Sequence, residues 1–291
     1  MYHSLPGTVL TFVITVAVLL FLAGGASPWR MVKKFFVALF TEYQFFMTVA
    51  LMLSVLLFNK AEIFFENHIF PAPWDMTPKI YSLEGNATKF IQEALYSDIA
   101  TNVFSFVYVF LFPALVLISL IIYKYRDNEE GIRRVFIAFT LNYLLAIPFY
   151  LFFPVKEVWA YNPQVSLAIL KVYPTFNIDY RQLSDLDNCF PSLHTSVSWS
   201  MAFSALLARE KGVRVFTVIG AILITLSTLY LGIHWLSDVV GGIILAAAVV
   251  AVGHRFCHIP QLIPQPRPLR WKRWLVKVRK FVAQLAAELF S

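Results

Sequence analysis

The strongest constraint on this chain is a series of long apolar stretches: Thr8–Gly24, Thr41–Phe58, Thr101–Tyr123, Val135–Phe153, Phe190–Ala208, Val213–Ile233 and a shorter Ser237–Gly253. A helix needs about 20 mostly apolar residues to cross the hydrocarbon core of a bilayer. Inside that core every backbone N–H and C=O must find its partner within the protein. The expected fold is therefore all-α, a polytopic membrane helix bundle of about seven transmembrane helices. Composition agrees: the chain is 59% hydrophobic and 14% charged, where soluble domains carry about 45–50% and about 25%. The first stretch follows an uncharged Met1–Gly7. It lacks the basic region and small-residue cleavage site of a secretory signal, so it reads as a retained helix.

Charge sets the expected orientation. Arg30, Lys33 and Lys34 follow the first stretch, Lys124, Arg126, Arg133 and Arg134 the third, and Arg209, Lys211 and Arg214 the fifth. Excess Lys and Arg marks cytoplasmic loops, and these three alternate consistently with seven crossings. The N-terminus is expected outside, the C-terminus in the cytoplasm, and the 59–100 loop, the 154–189 loop and the turn at His234 on the outer or lumenal face. The net charge of +7 thus belongs to loops and tail and gives no reason to invoke nucleic acid. Cys189 and Cys257 fall on opposite faces, which excludes a disulfide between them.

Three units follow. Residues 1–40 form a helix and cytoplasmic connector, 41–253 the main membrane domain, and 254–291 a cytoplasmic tail. In the tail, Trp271, Trp274, Leu275, Val278, Val282, Leu285 and Leu289 recur at helical spacing between Lys272, Arg273, Lys277, Arg279 and Lys280. That pattern suits an amphipathic helix lying on an anionic leaflet. In the first outer loop, Phe90, Ile91, Ala94 and Leu95 suggest a short surface helix that either lids a pocket or packs at the interface. Asn86-Ala87-Thr88 is a glycosylation sequon, meaningful only in a eukaryotic source.

Ionisable residues at the mouths of apolar segments are functional candidates by default. Here they are Asn188-Cys189-Phe190-Pro191-Ser192-Leu193-His194 and Ser227-Thr228-Leu229-Tyr230-Leu231-Gly232-Ile233-His234-Trp235-Leu236-Ser237-Asp238. Both histidines are expected at the outer ends of their helices, with Pro191 at a first helical position. His234 and Asp238 are four apart and share a helix face. A carboxylate on one ring nitrogen fixes the tautomer and leaves the other nitrogen nucleophilic. His194 is then placed to protonate a leaving alkoxide. Ser192 and the N–H groups at the helix start, at Leu193, offer an anion cradle, and Lys156 a positive charge. Taken singly, either histidine reads equally as packing, Ser237 as a helix start and Trp235 as an aromatic-belt residue. Their convergence points to phosphoryl transfer at a membrane surface.

Pro191-Ser192-Leu193-His194 resembles the second signature of the type 2 phosphatidic acid phosphatase superfamily, Pro-Ser-x-His. Ser227, His234 and Asp238 resemble the third, Ser-Arg-x5-His-x3-Asp. The likeness covers about Thr101 to Gly253. It implies a six-helix catalytic core and a metal-independent, cofactor-free reaction through a phosphohistidine. In it His234 is nucleophile, Asp238 its partner, His194 the general acid, and Ser192 and Ser227 belong to the phosphate-binding motifs. Implied partners are a lipid phosphate and the bilayer, with a lipid or polyol acceptor if the group is transferred rather than hydrolysed. Two departures stand out. Thr228 replaces the family's arginine, and the first signature, Lys-x6-Arg-Pro, has no clean match, with Lys156 near its place and Arg181 a substitute. Fewer cations suit a phosphodiester. Cys-Phe-Pro-Ser-Leu-His-Thr-Ser is similar to the branch containing inositol phosphorylceramide synthases.

Two other classes fit less well. A proton-coupled transporter would carry its polar groups near mid-membrane, in repeated halves, and no repeat is visible. A two-His, one-carboxylate metal oxygenase of the membrane di-iron type would need more than the six histidines present, and His254 and His258 fall at the cytoplasmic end. Restoring the missing charge is a direct test of the signature reading. Thr228→Arg is expected to raise kcat/KM for phosphomonoesters relative to phosphodiesters; no change, or a loss, would count against it.

Overall fold

The computed structural model describes residues 5–68, 74–180, 184–208, 210–257 and 276. The tail helix expected after residue 268, Pro71-Ala72-Pro73, Arg181 and His258 lie outside the described residues. Among those described there is no strand, only an isolated bridge between Val155 and Asn188. The chain is an all-α polytopic helix bundle.

Its elements are α1 (Leu5–Gly24), α2 (Pro28–Thr41), α3 (Tyr43–His68), α4 (Thr77–Glu84), α5 (Ala87–Leu95), α6 (Asp98–Phe106), a π-helical turn (Val107–Leu111), α7 (Phe112–Tyr125), α8 (Glu129–Phe152), α9 (Val158–Tyr161), a 3-10 turn (Ala168–Lys171), α10 (Phe176–Tyr180), α11 (Leu193–Leu207), α12 (Lys211–Tyr230) and α13 (Leu236–Phe256). Five segments are long and apolar enough to cross a bilayer: Pro6–Gly24, Asp98–Tyr125, α8, α12 and α13.

The other two expected crossings differ from their sequence reading. Thr41–Phe58 becomes the first part of α3, which meets α2 at 96°. Phe190–Ala208 yields a helix of only 15 residues, α11, about 22 Å long at 1.5 Å per residue. Ser192 caps it, so Pro191 lies before the cap and not at the first helical position.

Helix α11 is central and packs against α7, α8, α12 and α13. Thr195, Ser196, Ser198, Ser200, Ala202, Ser204 and Ala205 are all buried along it, and small residues of this kind let helices approach closely in a membrane. Two of the hydroxyls are held at short range: Ser198 Oγ donates to His194 O at 2.7 Å, and Ser200 Oγ accepts from Asn142 Nδ2 of α8 at 2.8 Å. Gly242 of α13 marks the closest approach, where an added Cβ would lie 2.8 Å from the Ser192 carbonyl oxygen.

Successive long segments run in opposite directions, so the basic loops gather at one end. There Lys34 pairs with Asp127 at 2.6 Å, Arg126 donates to Gly24 O at 3.1 Å, and Arg133 donates to Cys257 O at 2.6 Å. Lys124, 2% exposed, is held by Glu42 at 2.5 Å and Glu129 at 2.9 Å. A buried ammonium without such partners would cost several kcal/mol. The opposite end carries Trp74 against Phe153, Met76 N–H on Pro154 O, and both candidate histidines.

Gly242→Leu is expected to force α13 off α11 and lower stability by about 1–3 kcal/mol, the usual cost of overpacking. Thermal unfolding in detergent checks this; an unchanged midpoint would mean that the two helices are not in close contact.

Candidate active site

Helix α12 ends at Tyr230, and the chain reverses at Gly232, whose φ of +77° favours glycine. The reversal aims two consecutive donors, Ile233 N–H and His234 N–H, at the Thr228 carbonyl, each at 3.2 Å. The first outer loop braces this turn. Gln92 of α5 donates to Tyr230 O and Ser166 O, both at 2.9 Å, and accepts from Ser166. Glu84 of α4 accepts from Leu236 N–H at 2.7 Å and Ser237 N–H at 2.5 Å, occupying the positive N-terminus of α13. None of Trp74 to Leu95 lines the cavity described below, so this stretch packs as a brace rather than a lid. The sequon is built into it: Asn86 accepts from Asn162 at 3.0 Å and Thr88 is buried.

His234 precedes α13 and Asp238 lies in its first turn, so the pair meets through a helix cap and not across a helix face. Asp238 Oδ2 accepts from Trp235 N–H at 2.8 Å and lies 3.2 Å from His234 Nδ1. Asp238 is fully buried and its Oδ1 has no partner among the described residues. Trp235 is also fully buried, with its indole donating to Lys156 O at 2.8 Å, so it is not an aromatic-belt residue.

His194 is the second residue of α11. Its ring stacks on Tyr108 (centroids 4.2 Å, 19°) and tilts against Phe112 (4.2 Å, 40°). Both aromatics are delivered by the π-helical turn, where Phe112 N–H reaches back to Val107 O just before Pro113. The His194 and His234 ring centroids are 6.4 Å apart. Both line one cavity of about 520 Å³, with Leu193, Cys189, Glu157, Asp179 and five tyrosines also on its walls. On the side of α3 and α7, Leu56, Leu57, Val109 and Pro113 give it an apolar face.

The other expected phosphate ligands are elsewhere. Ser192 is fully buried and its hydroxyl accepts from Thr195 N–H at 3.3 Å as the helix cap, off the cavity wall. Ser227 is buried within α12, donating to Ile224 O at 2.7 Å. Thr228 donates to Thr225 O. Lys156 does not line the cavity: its ammonium turns to Asp75 at 3.7 Å, while its own N–H donates to Thr77 Oγ1. Arg181 lies outside the described residues. Among the described residues no Lys or Arg is on the wall.

Sequence reasoning missed Cys189, which is 1% exposed. Its Sγ lies 3.2 Å from His234 Nδ1 and its thiol donates to Ile233 O at 3.2 Å. Only its position beside the Pro-Ser-Leu-His run hinted at this. Cys189 Sγ, His234 Nδ1 and an Asp238 oxygen lie within 4.8 Å of one another, donors of the kind that can hold a metal ion.

A model of the PAP2 superfamily matches residues 82–252, from the end of α4 almost to the end of α13. No curated protein and no solved structure matches the chain. The matched region contains both histidines, Asp238, the bracing residues Glu84 and Gln92, and most of the cavity wall. The chain belongs to the PAP2 superfamily, the type 2 phosphatidic acid phosphatases, and is a phosphatase-type lipid enzyme of the membrane.

Proposed function

We propose that the protein cleaves a phosphate ester of a lipid through a phosphohistidine on His234. The observation that carries this reading is the pair of imidazoles facing one cavity at 6.4 Å, one of them anchored on a buried carboxylate. With Nδ1–H donated to Asp238, the His234 Nε2 lone pair attacks phosphorus. The P–O bond to the leaving alcohol breaks, and His194 gives that oxygen its proton. In the second half, water or an alcohol attacks phosphorus, His194 takes its proton, and the P–N bond breaks. No step requires a metal ion or a cofactor.

Orientation follows from charge. The basic loops gather at the end of the bundle opposite the histidines, and basic loops favour the cytoplasm. This supports an active site on the extracytoplasmic or lumenal face, with the N-terminus outside.

Transfer to a lipid or polyol acceptor, the inositol phosphorylceramide synthase-like alternative, has a specific observation in its favour. The cavity carries an apolar face at Leu56 and Leu57, the latter 70% exposed at the bundle surface. A lipid substrate or acceptor is able to enter sideways there. Incubating purified protein with labelled lipid phosphate, with and without alcohols, separates hydrolysis from transfer.

His234→Ala is expected to abolish the acid-labile phosphoenzyme trapped from labelled substrate. His194→Ala should still form some adduct yet turn over about 10²–10⁴-fold more slowly, the usual contribution of a general acid. Undiminished turnover in His194→Ala would remove its assigned role, and a persistent adduct in His234→Ala would move the nucleophile elsewhere.

A further inference from the structure

We infer that the cavity takes a phosphodiester whose headgroup is itself a cation, a phosphocholine- or phosphoethanolamine-type group; this rests on the phosphoryl-transfer reading above. Among the described residues the wall carries two carboxylates, Glu157 and Asp179, and no Lys or Arg. Beside those two carboxylates a zwitterion places a compensating positive charge.

The second observation is aromatic. Tyr108, Tyr173, Phe176 and Tyr180 form one continuous cluster on the cavity wall: Phe176 stacks on Tyr180 at 4.9 Å, and Tyr173 and Tyr108 meet Phe176 at 5.7 and 5.9 Å. Ring faces attract alkylammonium ions, and the attraction grows when water is excluded. The cluster begins at the reacting group, because Tyr108 also stacks on His194.

The two carboxylates flank it. Asp179 accepts from Tyr173 Oη at 2.9 Å and Thr175 Oγ1 at 2.8 Å, which fixes it beside the rings. Glu157, 4% exposed, accepts from the Trp159 indole. Phosphate at the histidines and ammonium at this wall satisfy one zwitterion. In the chemical step the P–O bond to the lipid alcohol breaks and that oxygen leaves with the His194 proton. Phosphorus stays bonded to the headgroup oxygen and to His234 Nε2.

Two measurements on the full-length protein in detergent test this. Diacylglycerol release from short-chain phosphatidylcholine, phosphatidylethanolamine, phosphatidylglycerol and phosphatidate gives the selectivity; the cationic headgroups should lead by at least about ten-fold in kcat/KM. Asp179→Asn and, independently, Glu157→Gln should each collapse that ratio through KM. Equal or better use of phosphatidylglycerol or phosphatidate, or variants that slow every lipid alike, would overturn the assignment. Binding of labelled choline phosphate against glycerol phosphate to His234→Ala gives a readout without turnover. Preferential choline phosphate binding, displaced by tetramethylammonium, supports the headgroup site even if the phosphohistidine fails. Turnover with indifference to headgroup leaves the phosphohistidine and removes the headgroup site.

Discussion

One backbone hydrogen bond joins the two halves of the site: Ser192 N–H donates to the Asp238 carbonyl at 3.1 Å. Ser192 caps α11 and Asp238 lies in the first turn of α13, so this bond locks together the helix starts beside which His194 and His234 stand. Everything nearby serves the same registration. Gly242 removes the side chain that would part the helices, and the serines of α11 keep its girth small. The histidine separation is therefore set by main-chain packing, which is stiffer than any pair of side-chain rotamers.

Around this joint the outer loops act as a scaffold. Glu84 on the α13 N-terminus and Gln92 on the α12–α13 turn hold backbone groups that would otherwise be unpaired in a water-poor setting. Such groups cost about 1–3 kcal/mol each when left without partners. Asp238 Oδ1 is one of several buried side-chain atoms with no partner among the described residues, and it lies on the residue that meets His234.

Much of this was legible in the sequence, for reasons that differ residue by residue. His194, His234 and Asp238 stand out because charge at the mouth of an apolar stretch is rare, and their spacing survives whether they meet by helix face or by cap. The helices were legible because hydrocarbon imposes a length. Lys156 was not, since nothing in a sequence says which way a side chain turns; its backbone is held by Thr77 and Trp235, and the ammonium goes to Asp75. Ser192 caps α11, and a sequence does not tell that use of a serine from an anion contact. Tyr108 and Phe112 look like lipid-facing residues within an apolar run, and the π-helical shift that turns both toward His194 has no sequence signal beyond Pro113. Glu84 and Gln92 act across 138 to 153 residues of chain, beyond the reach of any local pattern.

The short central helix has a consequence for the bilayer itself. At about 22 Å, α11 falls some 8 Å short of a hydrocarbon core of about 30 Å, and its N-terminal end carries His194. Where the shortfall falls at that end, the reactive floor lies beneath the plane in which lipid headgroups normally float. A phosphate reaching it must sink too, shedding hydration as it goes, or the surrounding leaflet must dimple to meet it. Membrane thickness then becomes a variable of catalysis, coupling the composition of the lipid matrix to the rate at which individual lipids are processed.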